Sequence, residues 1–280
     1  GYGLSDNLDF PLKWRFPEYH IQPNEYIYVF ASGKDRTNIP SHWETIINHG
    51  DYWKYLPGTY EPQSTWNDLG FNDGSWLSGP SGFGYGDNDD STVVSSTISL
   101  YLRKSFNITD LANITDLILH VDFDDAFVAY INGIEIAREN IGIIGIPPAF
   151  NETADSYTEP QIAYGNPPFK YIISNWQSLL ITGENVLAIQ VHNHSISSSD
   201  LSLIPFLTIG MNLPPLNSIG VPEIISPSFP KLHTNFKIKS SGEIITLSDS
   251  TGVLLDIIES VNIPKDFSYG RKPTNLNTLV

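Results

Sequence analysis

Short runs of alternating apolar and polar residues, each closed by glycine, proline or an Asn/Asp pair, constrain this chain more than any other feature. Successive side chains of a strand point to opposite faces, so alternation with period two marks a half-buried strand; a helix needs apolar residues three and four apart. That helical spacing is scarce here. The 21 glycines and 20 prolines are spread along the whole sequence and favour turns over helices. Strands are predicted at 26–30, 99–106, 116–121, 126–131, 134–137, 185–193, 201–209, 236–238, 244–248 and 253–258. Asn132-Gly133 between two apolar alternations predicts a two-residue hairpin turn, because both positions accept positive φ. A short helix is predicted around Trp43 to Asn48. Two proline-rich stretches, 142–170 and 212–230, read as a long loop and a linker.

The bulk numbers bound the partners. At 280 residues the length suggests two domains, and 40% hydrophobic residues are enough to build cores. A net charge of −16 argues against nucleic acid and anionic membrane as partners, since both require a basic surface. It supplies carboxylates suited to divalent cations. With no cysteine, disulfides, thiolate nucleophiles and cysteine-based metal sites are excluded. The apolar runs are too short for a membrane-spanning helix. The chain does not begin with Met, and it is read as an excerpt of a longer, exported polypeptide.

Two resemblances organise the chain. The segments around Ala31-Ser32-Gly33-Lys34, Leu232-His233-Thr234-Asn235-Phe236 and Ser268-Tyr269-Gly270-Arg271 resemble the later strands and closing motif of a lamin-tail domain. In that family the first two motifs lie close in sequence; here most of the chain separates them. Within the gap, Asp51-Tyr52-Trp53, Phe71-Asn72-Asp73-Gly74-Ser75-Trp76, Gly82-Phe83-Gly84-Tyr85-Gly86-Asp87, Asp124-Asp125-Ala126-Phe127 and Gly183-Glu184-Asn185-Val186-Leu187-Ala188 are similar in order and spacing to a galactose-binding-like jelly roll. The resemblances imply an incomplete, discontinuous immunoglobulin-like sandwich with an inserted β-sandwich jelly roll. The corresponding division is 1–36 and 231–280 for the frame, 37–211 for the insert and 212–230 for the linker. They also imply a secreted or cell-surface bacterial protein, but a fold alone names no ligand.

Candidate chemistry sits in the insert. Trp66, Phe71 and Trp76, with Tyr85 beyond them, could form a sugar-stacking platform. Packing of the loop onto itself is the preferred alternative for the first three. Asp87, Asp89, Asp90 and Ser91 place oxygen side chains at close and alternate positions, as a loop curling round a structural Ca2+ requires. A solvated acidic loop is the equal alternative, and Asp200 is a weaker further candidate. Asp124 and Asp125, at a strand entry, are expected to accept backbone N–H groups and fix a turn. His192 and His194 share a strand face by period two but lack a third zinc ligand at recognisable spacing. His120, inside an apolar strand, is expected to be a satisfied core residue. Neither a G-x-S-x-G elbow nor a Walker-type phosphate loop occurs.

These readings converge on a non-catalytic extracellular or cell-surface module that binds a glycan or a surface protein and is joined to the remainder of its own polypeptide. The alternatives are a structural spacer in a surface fibre or adhesin, and the accessory region of a secreted hydrolase.

Overall fold

The computed structural model describes residues 1–17, 27–86, 90–225, 227, 232–239, 241–259 and 262, and the backbone of strands Arg271–Lys272 and Asn275–Leu279. The chain is all-β, with three short 3-10 turns among the described residues. It divides into two compact units, Gly1–Ile39 with Phe229–Val280, and Pro40–Ser228.

The first unit draws on both ends of the chain. Its four-stranded antiparallel sheet runs Leu254–Ile258, Ile245–Ser248, Gly3–Ser5, Trp14–Arg15. Leu4 lies opposite Leu247, and Thr246 Oγ1 donates to the Ser5 carbonyl at 3.3 Å. Leu232–His233 runs parallel to Val29–Phe30. Trp14, Leu232 and Phe236 form the buried centre, with Phe16 edge-on to Trp14 at 5.1 Å. Tyr26 and the 268–270 part of the closing motif lie outside the described residues.

The second unit is a sandwich of two six-stranded sheets. In the first sheet, Ile114–Phe123 lies between Phe169–Ile172 and Leu201–Met211. Leu201–Met211 also pairs with His42–Ile47 and with Phe83–Tyr85. The second sheet has the order Ile134–Glu139, Ala126–Ile131, Gly183–His192, Ser99–Ile108, Tyr52–Pro57, Leu77–Pro80. Odd positions of Leu117–Phe123 meet even positions of Leu100–Ile108 in the shared core. Each fully buried Leu, Ile or Phe there contributes about 1.5–3 kcal/mol.

The predicted helix at 43–48 is corrected: His42–Ile47 is a strand paired with Leu201–Met211. Trp43, Thr45 and Ile47 favour a pleated surface, and the sheet edge supplies the hydrogen bonds a lone helical turn would lack. The hairpin at Asn132-Gly133 forms with φ of +50° and +87°. The 212–230 stretch is tied to the sandwich over part of its length. Ile219 N–H donates to Glu44 Oε1 at 2.7 Å and the Ser218 hydroxyl to Oε2 at 2.7 Å. Although burial opposes it, these bonds and one from His42 hold the Glu44 carboxyl below its ordinary range.

Candidate binding site at the loop end of the sandwich

Strand Ile114–Phe123 runs straight into Asp124 and Asp125, so three aspartates (122, 124 and 125) arrive buried at one end of the sandwich. A buried carboxylate must find donors, and here they come from loops. Asp125 accepts the Thr158 N–H on Oδ1 at 3.1 Å and the His194 N–H on Oδ2 at 2.8 Å. Its own carbonyl accepts Asn140 Nδ2 at 3.0 Å. Asp122 accepts the N–H groups of Gln161 and Ile162. Asp124 N–H donates to the Ser202 carbonyl at 3.0 Å. Asn193 Nδ2 reaches both the Asp200 carbonyl and the Tyr85 hydroxyl at 2.8 Å. One short corner therefore positions the 157–162 and 194–200 loops and abuts Tyr85.

The neighbouring glycines make this closeness possible. A Cβ on Gly84 would sit 2.3 Å from Asp90 Oδ1, and one on Gly86 would sit 2.1 Å from the Ser199 carbonyl. Only a residue without a side chain fits either place.

Electrostatics at the corner are one-sided. Burial pushes the Asp124 carboxyl well above the usual range, and the neighbouring Asp125, Asp200 and Glu159 reinforce the rise. Burial also raises Asp122, while the Gln161 and Ile162 N–H groups pull it back. Above the corner, Tyr157 is 74% exposed and its ring lies 4.0 Å from the His194 ring at an interplanar angle of 39°. His194 Nδ1–H donates to the Ala154 carbonyl at 3.1 Å, which fixes the ring. An oriented, exposed aromatic face beside hydrogen-bonding groups suits a hydroxyl-rich ligand.

The rings weighed for a sugar-stacking platform lie against protein. Trp66 and Trp76 are 4% and 8% exposed and stack on one another with centroids 6.2 Å apart. Trp66 further meets Tyr101 edge-on at 4.9 Å, and Phe71 lies under the Arg103 guanidinium at 5.1 Å. Tyr85 is buried, its hydroxyl accepting from Asn193. Ring faces already covered by protein cannot stack on a sugar. Trp66, Phe71 and Trp76 are the packing of the loop over the second sheet, with Tyr101, Val128 and Tyr130 beneath them, while Tyr85 belongs to the core between the sheets.

Of the acidic loop, Asp87 and Asp89 lie outside the described residues. Among the described residues no three His, Cys, Asp or Glu side chains converge to hold a metal. His192 and His194 direct Nδ1 to the Glu152 and Ala154 carbonyls, so each ring is anchored separately. His120 is buried as expected, but neither ring nitrogen meets a hydrogen-bond partner among the described residues. Sequence reasoning passed over Tyr157 because nothing in a proline-rich loop marks one tyrosine as lying against a histidine remote in sequence. Asp122 could have been suspected, as a carboxylate inside an apolar strand.

Among the described residues no helix is long and apolar enough to cross a membrane. No protein-family model matches the chain, and no curated protein matches it. Solved structures similar to it include a β-glucuronidase from an uncultured Clostridium species, 13% identical, with a TM-score of 0.40 over 79% of this chain and 38% of that one. The β-glucuronidase of Bacteroides uniformis is 15% identical, with a TM-score of 0.39 over 78% of this chain and 25% of that one. The α-L-rhamnosidase of Streptomyces avermitilis, solved with L-rhamnose, is 17% identical, with a TM-score of 0.29 over 42% of this chain and 9% of that one. The chain thus spans well under half the length of these enzymes, and likenesses this distant assign neither activity nor ligand.

Proposed function

We propose that this chain is a non-catalytic glycan-binding region of a larger secreted or cell-surface protein, and that the sugar meets the loop end around Tyr157. The observation that carries this reading is the Tyr157 ring, exposed yet set against the His194 ring, on loops that Asp125 ties down. A ring held in place loses little entropy when a sugar stacks on it. The acidic corner and the net charge of −16 favour neutral or amino sugars over uronic acids. In this reading the first unit is a lamin-tail-like frame, and the 37–211 insert is a galactose-binding-like jelly roll displayed from it. A glycan array followed by titration calorimetry tests the proposal. Binding of at least one neutral or amino sugar, weakened tenfold or more by Tyr157→Ala, is expected. No binding, or equal binding by the variant, refutes it.

Calcium is a separate proposal for the same end of the sandwich, drawn from Asp87, Asp89, Asp90 and Ser91. It is supported by their alternating oxygens and by the packing of Asp90 against Gly84. Thermal melting with Ca2+ and with EDTA decides: a stabilisation that Asp90→Ala removes is expected, and identical melts refute it.

A further inference from the structure

The outward face of the first sheet of the second unit carries a cleft. Leu201, Leu203, Leu207 and Ile209 point into the core between the sheets, so Ile204 and Phe206 point the other way and form the cleft floor. Ile162 stands on one side, Pro222 and Ile224 on a second, and Asn48 with His49 on a third, around a space of about 390 Å³.

A different carboxylate braces each side. Asp122 Oδ2 accepts the Ile162 N–H at 2.9 Å. Glu44 accepts from Ser218, Ile219 and Gly220, just ahead of Pro222, and the Ile225 N–H then closes a turn on the Pro222 carbonyl at 2.9 Å. Ile225 itself is buried, which anchors the end of that segment. Asp51 Oδ2 accepts the Asn48 N–H at 2.9 Å, and Asn48 Nδ2 donates to the Thr45 carbonyl at 3.1 Å. Apolar side chains free to move pack down on one another. Here hydrogen bonds outside the apolar lining fix every wall, so the cleft is formed before any ligand arrives.

The lining selects the chemistry. No Lys, Arg, Asp or Glu lines the cleft, so a charged group seated against Phe206 and the isoleucines would lose its hydration. Asp51 beside the rim and the net charge of −16 disfavour a carboxylate in particular. Two polar groups remain: the Asn48 amide oxygen, since its Nδ2 is already bonded, and the His49 imidazole. That ring lies against Gly82, where a Cβ would stand 3.0 Å from Nε2, and it makes no hydrogen bond among the described residues. An imidazole and an amide oxygen on one side suit a hydroxyl, which both donates and accepts. The volume is at the lower end of ligand clefts, about 300–1,000 Å³, and admits one substituted ring. An aromatic ring gains further from contact with Phe206. We propose that the cleft binds an uncharged, hydroxyl-bearing aromatic ring, its face or edge on Phe206 and its hydroxyl at His49, independently of any sugar at Tyr157.

Titrating the isotope-labelled full chain with 4-ethylphenol, followed by amide chemical shifts, tests this. A dissociation constant below about 1 mM is expected for so small a ligand. The shifted amides should cluster around His49, Ile162, Phe206 and Ile224. Ile224→Trp, which fills the cleft, should weaken binding tenfold or more with unchanged melting. His49→Ala should weaken it at least twofold, the loss of one hydrogen bond. The anion 4-ethylbenzoate, with a carboxylate in place of the hydroxyl, should bind at least tenfold more weakly than 4-ethylphenol. Should Ile224→Trp fail to fold, the exposed His49→Ala decides. A dissociation constant above about 1 mM, shifts scattered outside the cleft, a loss under twofold for His49→Ala, or 4-ethylbenzoate bound as tightly overturns the proposal.

Discussion

Arg103→Met should loosen the loop that covers the second sheet, and its cost can be worked from the contacts. Arg103 is 3% exposed. Its Nε donates to Asp73 Oδ2 at 2.9 Å, and its Nη1 donates to the Trp66 carbonyl and, at 3.1 Å, to the Asp68 carbonyl. A methionine keeps much of the aliphatic volume and removes every donor. Asp73 remains partly exposed, with 27% of its side chain open, so water can re-solvate that carboxylate and its contribution is discounted. The Asp68 carbonyl belongs to an exposed residue and can likewise be re-solvated, whereas the Trp66 carbonyl is buried, and a buried acceptor left unmade costs about 1–3 kcal/mol. Adding the lost guanidinium stacking on Phe71, about 0.5–1 kcal/mol, the sum is roughly 1.5–4 kcal/mol. For a unit of this size, 1 kcal/mol moves the melting temperature by about 2–4 °C, so a fall of roughly 3–16 °C is expected. Differential scanning calorimetry gives the fall, and near-ultraviolet circular dichroism shows whether the Trp66–Trp76 stack loses its signature. Arg103→Lys should recover only part of the loss, since one ammonium cannot span the same fork of acceptors. A drop under about 3 °C for Arg103→Met would refute the view that this guanidinium anchors the loop.

Three further outcomes follow from buried polar groups. Burial pushes His120 and His192 down to about 4, the charge of Lys170 adding to the effect at His120. The unfolded chain therefore binds more protons than the fold between pH 4 and 6.5, and each histidine contributes up to roughly 3 kcal/mol that is present above 6.5 and lost as pH falls toward 4. Asp124, with its raised carboxyl, acts in the opposite direction, so the clean measurement is the difference in melting between wild type and His120→Phe, which should grow as pH rises from 4.5 to 6.5 in the wild type's favour; no pH dependence of that difference would exclude a neutral buried His120. Asn132→Ala should cost about 2–4 kcal/mol by urea denaturation, because it removes bonds to the Leu179 carbonyl, Asn185 Oδ1 and Val186 N–H and forces alanine to φ +50°. Asn132→Gly should cost less, since it keeps the turn and loses only the bonds. Asp125→Asn should raise amide exchange at Thr158 and His194 about tenfold or more relative to the rest of the sandwich, as one of two accepting oxygens becomes a donor; equal exchange would mean the loops are held by something else.

How far the sequence speaks depends on how local the physics is. Asn132-Gly133 was legible because a two-residue turn is decided by the φ each residue tolerates, and that needs no distant partner. The alternation over 99–106 was legible because the pleat has period two, and 126–131 because a short apolar run ends at the turn residues Asn132-Gly133. Trp66, Phe71 and Trp76 announce an aromatic loop equally well whether their faces point to water or to each other; only Tyr101 and Tyr130, brought beneath them by the second sheet, settle that. His42–Ile47 failed as a helix for the same reason, its strand partner Leu201–Met211 being remote in sequence.

By itself, then, the sequence determined that this chain is all-β, that it carries no thiol chemistry, and where one tight hairpin must fall. The tertiary structure decided the rest. It set Gly3–Ser5 beside Ile245–Ser248, pushed the Asp124 carboxyl up by burial, covered Trp66 and left Tyr157 exposed. Burial and neighbouring charge are properties of what surrounds a residue, and in a β-sandwich those surroundings come from strands far away along the chain.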